Sequence, residues 1–191
     1  MKKIFATVLV ALLAACTTKT ASVNPPMDFS KEPVIRLNVA DIQVQDNYQP
    51  TFTAPNIEHL MDSTPSDGIK TWARQRLQAV GSSKLLQVNI IDASVKETDL
   101  PKKKGFSGFI TDQQDKKIDA RIEVELKIYG EDPLSEADAT VVVTRSVTIP
   151  ESYTVNQRKS AYDKLVSDTM AMFNNRLEKQ MQKYMGNYIS Y

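Results

Sequence analysis

The chain has little of the side-chain chemistry that enzymes and metal sites draw on. Its 191 residues include one cysteine (Cys16), one histidine (His59) and one tryptophan (Trp72). A single cysteine allows no disulfide within the chain and no Cys-based metal cluster. The histidine sits between Glu58 and Leu60, with no G-x-S-x-G or H-E-x-x-H pattern around it. It is expected at the surface of a loop. Serines and lysines are plentiful, but no spacing marks an activated pair. There is no internal repeat of solenoid length. No run of apolar residues reaches the ~20 needed to span a bilayer.

What is present begins at the N-terminus. Lys2 and Lys3 precede an apolar stretch at residues 4–13, followed by Ala14, Ala15 and Cys16. A positive start, a short apolar core and small residues before a cut site make a secretory signal. Leu13-Ala14-Ala15-Cys16 resembles the lipobox of bacterial lipoproteins. That resemblance implies that residues 1–15 are a signal peptide. It also implies that Cys16 takes a diacylglycerol on its thiol, becomes the first residue of the mature chain and is then acylated on its amino group. Each buried CH₂ contributes ~0.8 kcal/mol, so one acyl chain holds weakly and several hold firmly. Thr17 follows Cys16, where an Asp favours retention in the inner membrane of enterobacteria. The expected address is the periplasmic side of the outer membrane, with the outer leaflet of the inner membrane as the alternative.

Loss of residues 1–15 leaves 176 residues, enough for one domain with a core. Lys plus Arg then falls from 24 to 22 against 23 acidic residues, a net charge near −1. Such a balance gives no general attraction for nucleic acid. With Cys16 lipidated no thiol remains. Neither a metal nor a cofactor is expected.

Residues 16–33 hold Pro25, Pro26 and Pro33 and are expected to be the lipidated cysteine and a flexible linker. As a coil the linker spans roughly 20–25 Å; fully stretched it reaches about 55 Å. A single domain is expected over 34–186, with 187–191 as a C-terminal tail.

The first strand is expected at 34–44. Ile35, Leu37 and Val39 alternate, then the apolar set shifts to Ile42 and Val44, which predicts a β-bulge near Ala40 and Asp41. Residues 47–56 form a loop. A helix starts at Thr64 as cap, with Pro65 in the first position and Asp67 in the first turn. Its stripe is Ile69, Trp72, Ala73, Arg76, Leu77 and Val80, and Gly81 is expected to end it. Trp72 reads as a core anchor, with ligand stacking as the alternative. In the second strand, 85–98, the parity shifts between Ile90 and Ile91, the mark of a bulge or a change of neighbour.

Residues 99–117 form a long connection. Lys102, Lys103 and Lys104 precede Phe106 and Phe109 there, in a stretch that also holds Gly105 and Gly108. One reading is a hairpin tip whose aromatics fold back on the sheet. The other is a contact loop for anionic lipid, lipopolysaccharide or a partner protein, each lysine contributing about 1 kcal/mol near an anionic membrane. The third strand, 118–129, alternates strictly: Ile118, Ala120, Ile122, Val124, Leu126 and Ile128 on one face, charged residues on the other. This predicts an antiparallel sheet with one dry face. Glu123 and Glu125 are neighbours on the charged face, which reads as solvated. After a turn around Pro133, a fourth strand covers 137–149.

No glycine or proline interrupts 155–185, a predicted helix striped by Tyr162, Leu165, Val166, Thr169, Met170, Phe173, Leu177, Met181 and Tyr184. At 1.5 Å per residue it runs roughly 45 Å, longer than a small sheet needs. Its C-terminal half, with Met181, Tyr184 and Met185, is therefore expected to overhang. Those residues are either packed in the core or at an edge, or offered as a partner-binding face.

The elements add up to an α+β fold: a four-stranded, mostly antiparallel sheet with two helices packed on one face, in the order β-α-β-β-β-α. A lipobox, a short linker and this order together resemble, in topology, the LptE-like lipopolysaccharide-assembly lipoproteins and the PqiC-like auxiliary lipoproteins of lipid-transport ABC systems. The resemblance implies a non-catalytic, periplasm-facing outer-membrane lipoprotein, not an enzyme. It would act as an accessory subunit of an envelope assembly or transport complex. Its partners would be the membrane, through the acyl chains on Cys16, and an envelope protein complex, with lipid or lipopolysaccharide as a further ligand. The competing expectation is a stand-alone lipid- or glycan-binding module.

Overall fold

A computed structural model describes residues 27–101, 114–132 and 134–190. Its centre is a sheet of four strands: β2 (Asp41–Asp46), β4 (Leu85–Asp99), β5 (Gln114–Tyr129) and β6 (Ser135–Pro150). Their spatial order is β2-β4-β5-β6. β2 runs parallel to β4, and the other two pairings are antiparallel. Helices α1 (Pro65–Arg76) and α2 (Val155–Tyr184) cover one face. The α+β architecture and the helix pair match the expectation.

The alternation of β5 explains the dry face. Its six even-numbered apolar residues from Ile118 to Ile128 are all buried, beside Leu86, Val88 and Ile90 of β4 and Val141, Val143 and Ile149 of β6. The parity shift in β4 is a bulge. The register with β5 slips between Ile90 and Asp92, leaving Ile91 exposed while Ala93 and Val95 return to the core.

The phase change near Ala40 has a different origin from the predicted bulge. The strand expected over 34–44 is two strands in two sheets. Strand β1 (Ile35–Leu37) belongs to a small sheet of order β3-β1-β7, with β3 at Leu77–Ala79 and β7 at Ile189–Ser190. The chain then crosses to β2 in the main sheet, with Ala40 N–H donating to Lys84 C=O (2.9 Å).

Helix α1 starts as predicted. Thr64 Oγ1 accepts from Asp67 N–H, and the Asp67 carboxylate accepts from Thr64 N–H. It stops five residues before Gly81, because Leu77 turns to extended backbone and pairs in parallel with Ile35. Val80 N–H donates to Leu37 C=O and Gly81 N–H to Val39 C=O, both at 2.9 Å. Sheet pairing outweighs the helix propensity of Leu77-Gln78-Ala79. Gly81 serves a close approach instead of a helix end: a Cβ there would lie 2.7 Å from both Asn38 C and Val39 N.

The far end of α2 does not overhang. Met181 and Met185 are fully buried, and of these three Tyr184 alone faces solvent. The small sheet extends the apolar floor beneath the helix end. The chain folds back through Tyr188, whose N–H donates to Met185 C=O and whose C=O accepts from Asn38 N–H. β7 then pairs antiparallel with β1, so Ile189 and Ser190, within the expected C-terminal tail, join the small sheet. At the other end, residues 27–33 are docked. Phe29 is buried and its N–H donates to Gln75 Oε1 (2.7 Å), while Arg76 Nη1 donates to Pro33 C=O. The β4–β5 hairpin is also longer than predicted, with Asp99 opposite Lys116.

Candidate functional site

Cys16, Lys102, Lys103, Lys104, Phe106 and Phe109, the residues singled out on sequence, lie outside the described residues. The described residues hold a different candidate, at the free edge of the sheet.

β6 is the last strand of the main sheet, and the direction of its backbone groups follows from the pairing upstream. Val95 of β4 turns away from β5: its N–H donates to Glu58 Oε1 (2.6 Å) and its C=O accepts from Ile57 N–H (2.9 Å). In antiparallel sheets this orientation alternates along and across strands. Ala120, opposite Val95, therefore turns to β6, and Arg145, opposite Ala120, turns to β5. Thr144 and Ser146 then present N–H and C=O to the open edge. Val142, of the same parity, agrees: its C=O accepts from Arg176 Nη1 of α2 (3.0 Å). Between residues 137 and 149 this edge carries two charged side chains, Asp138 and Arg145, and no Lys or Pro. Such residues are the usual protection of an exposed strand.

Beside this edge the first turns of α2 stand off β6 and leave a cleft of about 640 Å³. Val147, Ala161 and Leu165 form its apolar floor, and Tyr153, Arg145 and Lys164 stand around it. Asp168 holds both cations, Arg145 at 3.1 Å and Lys164 at 2.9 Å. One carboxylate between two cations leaves the rim positive. Ser146 also lines the cleft, although its hydroxyl donates to Asp119 on the opposite face. Its contribution to the cleft is its backbone.

Among the described residues two charged side chains are buried, Glu58 and Arg76, and both bind the fold together. Glu58 fills the place where β2 leaves β4. Its Oε1 accepts from Tyr48 Oη (2.7 Å), Asn56 Nδ2 (2.9 Å) and Val95 N–H (2.6 Å). Burial, and then the Glu58 carboxylate, hold the Tyr48 phenol well above its ordinary pKa. Arg76, on the predicted apolar stripe of α1, is fully buried and donates through Nη2 to Glu178 Oε2 (2.7 Å). Near the cleft, Tyr162 Oη donates to Glu97 Oε2 (2.8 Å), and burial together with that carboxylate pushes its phenol up to about 12. Glu58 carried no signal in the sequence; Arg76 did, through its place on the stripe.

The remaining sequence candidates separate. Trp72 is a core anchor, edge-on to Phe173 with ring centroids 5.3 Å apart. His59 is exposed, 6.1 Å from the Phe52 ring. Glu123 bonds Arg121, and Glu125 lies 2.9 Å from Lys127, so each carboxylate has its own cation. Among the described residues no three His, Cys, Asp or Glu side chains gather to hold a metal ion, and no helix is long and apolar enough to cross a membrane.

No family model and no curated protein sequence matches the chain. Solved structures with a similar course include a minor lipoprotein from Acinetobacter baumannii, 12% identical, with 81% of this chain and 98% of that chain covered and a TM-score of 0.40. Rare lipoprotein B from Shewanella oneidensis is 10% identical over 75% of this chain and 94% of that chain, with a TM-score of 0.41. A Xanthomonas campestris protein of family model DUF330 is 11% identical over 79% of this chain and 89% of that chain, with a TM-score of 0.34. At these identities and TM-scores the likeness carries no statement about what this chain does.

Proposed function

We propose that the protein is a non-catalytic lipoprotein of the periplasmic side of the outer membrane, held by acyl chains on Cys16, and that it serves as a docking subunit of an envelope assembly or transport complex. The observation that carries this reading is the order of the main sheet. The chain enters beside α1, which packs on β4 and β2, whereas the free edge of β6 lies at the opposite side of the sheet. A domain tethered at one edge thus offers the other to a partner. Lys102, Lys103, Lys104, Phe106 and Phe109 belong in this reading to a second contact, with anionic lipid, lipopolysaccharide or the same partner.

Labelling with a radioactive fatty acid and membrane fractionation test the anchor. The wild-type chain carries label in the outer-membrane fraction, and Cys16→Ser loses both label and membrane association; a labelled Cys16→Ser chain rejects the anchor. In-cell photo-crosslinking tests the docking role. A probe at Thr144 gives a discrete heavier species that a probe at Asp41, on the opposite edge, does not. The same products from both positions reject it.

The apolar floor of the cleft favours a second reading, a stand-alone lipid-binding module. Lipopolysaccharide binding by purified protein that survives Lys102, Lys103 and Lys104→Ala but not Leu165→Asp is the result expected from that alternative.

A further inference from the structure

The free edge of β6 and the cleft beneath α2 form one groove, with a strand for one wall and a helix for the other. We propose that this groove takes an extended segment of a partner protein, added antiparallel or parallel as a fifth strand on β6, with apolar residues and one acidic residue facing the cleft. The inference deepens the docking role proposed above and rests on it.

Three observations converge on that occupant. Thr144 and Ser146 point N–H and C=O outward, which is what strand addition needs and what a lipid tail cannot use. The cleft floor of Val147, Ala161 and Leu165 lies to the helix side of that edge, where every second side chain of an added strand would project. The rim carries Arg145 and Lys164 against the single carboxylate of Asp168, so an acidic side chain in the added strand completes the charge balance. A second copy of this chain meets the charge condition less well. Its own β6 would bring Arg145 to a rim that is already positive, and the α2 helix that lies over each β6 would have to be accommodated beside its twin.

The test uses the lipoprotein in phosphatidylcholine nanodiscs, with empty nanodiscs as control. The probe is a fluorescein-labelled ten-residue peptide of Thr and Val with one central Glu. Fluorescence anisotropy is expected to show saturable binding. Replacing the peptide's Glu by Lys weakens it about tenfold, the order expected for a charge-assisted contact. Ser146→Pro removes an outward N–H that no neighbouring strand uses, and Ser146→Ala controls for the lost Asp119 bond. Binding falls about tenfold in Ser146→Pro relative to Ser146→Ala, with melting curves showing that both variants fold. Equal binding by the two variants overturns the proposal, as does absence of binding by the probe. Sedimentation that shows wild-type chains pairing, and Ser146→Pro chains not, assigns the edge to a second copy and overturns it too. None of these readouts depends on the Cys16 experiment, so the groove and the anchor stand or fall separately.

Discussion

The indole Nε1 of Trp72 donates to Oδ1 of Asn174 at 2.7 Å, joining α1 to α2 across 102 residues of sequence. Both residues are buried. This bond and the edge-on contact with Phe173 set how the two helices sit on the sheet. Asn174→Ala leaves the indole N–H without its partner in a dry site, at a cost of about 1–3 kcal/mol. Urea unfolding followed by tryptophan fluorescence measures it. Trp72 is the only tryptophan, so the signal reports this site directly.

Arg76 and Glu178 give a second, graded prediction. The guanidinium is fully buried, while the Glu178 side chain is 37% exposed. Glu178→Gln keeps a neutral acceptor and costs less than Glu178→Ala, which leaves the cation to Pro33 C=O and a distant Glu32. The Ala variant loses about 1–2 kcal/mol, solvent screening at Glu178 keeping it below the value of a fully buried pair. Chemical denaturation of both variants checks the order. Equal stability of wild type and Glu178→Ala contradicts it.

Gly81 and Gly186 separate close packing from chain freedom. A methyl at Gly81 meets Asn38 Oδ1 at 2.5 Å and the backbone of Asn38 and Val39 at 2.7 Å. Gly81→Ala must push β1 away from the turn after β3, costing about 1–3 kcal/mol. Nothing lies within 4 Å of a Cβ at Gly186, so Gly186→Ala leaves the melting temperature unchanged or slightly raised.

Two tyrosines contribute to the loss of stability at alkaline pH. Burial and the Glu97 carboxylate raise the Tyr162 phenol to about 12, and burial and the Glu58 carboxylate raise Tyr48 as well. A phenol raised in the folded state loses its proton first in the unfolded chain. The stability it contributes is complete below the unfolded value of about 10 and declines as pH rises through the folded value. Phenolate absorbance of the native protein therefore lags behind that of the urea-unfolded chain above about pH 10. Tyr162→Phe removes part of the lag and flattens the loss of stability in that range.

Long periodic elements were legible in the sequence. The alternation over Ile118–Ile128 is the dry row of β5, Thr64-Pro65-Ser66-Asp67 is the observed capping box, and the parity shift at Ile90-Ile91 is the bulge in β4. Each is decided by neighbours in the chain: side-chain direction by the period of two, the cap by a contact three residues away. Arg76 shows the limit of that reading. Its place on the apolar stripe was visible, yet its burial depends on Glu178, which is 102 residues away.

The small sheet was not legible, for a physical reason. Strands of three, three and two residues carry too few positions for a period to show. Their pairing comes from backbone groups that tertiary contact brings together. The same contact turned an expected bulge into a switch of sheets, ended α1 at Arg76 and buried Met181 and Met185. The candidate groove shows no sequence signal either, because it is the gap between an edge strand and a helix.

Local pattern in the chain determined the long strands of the main sheet, the starts of the two helices and which face of each would be dry. Only the tertiary structure decided which backbone groups stay unpaired. Pairing is a property of strand order, and strand order comes from how the apolar faces of α1, α2 and two sheets close on one another. β6 became the open edge, with Thr144 and Ser146 facing outward, through that closure.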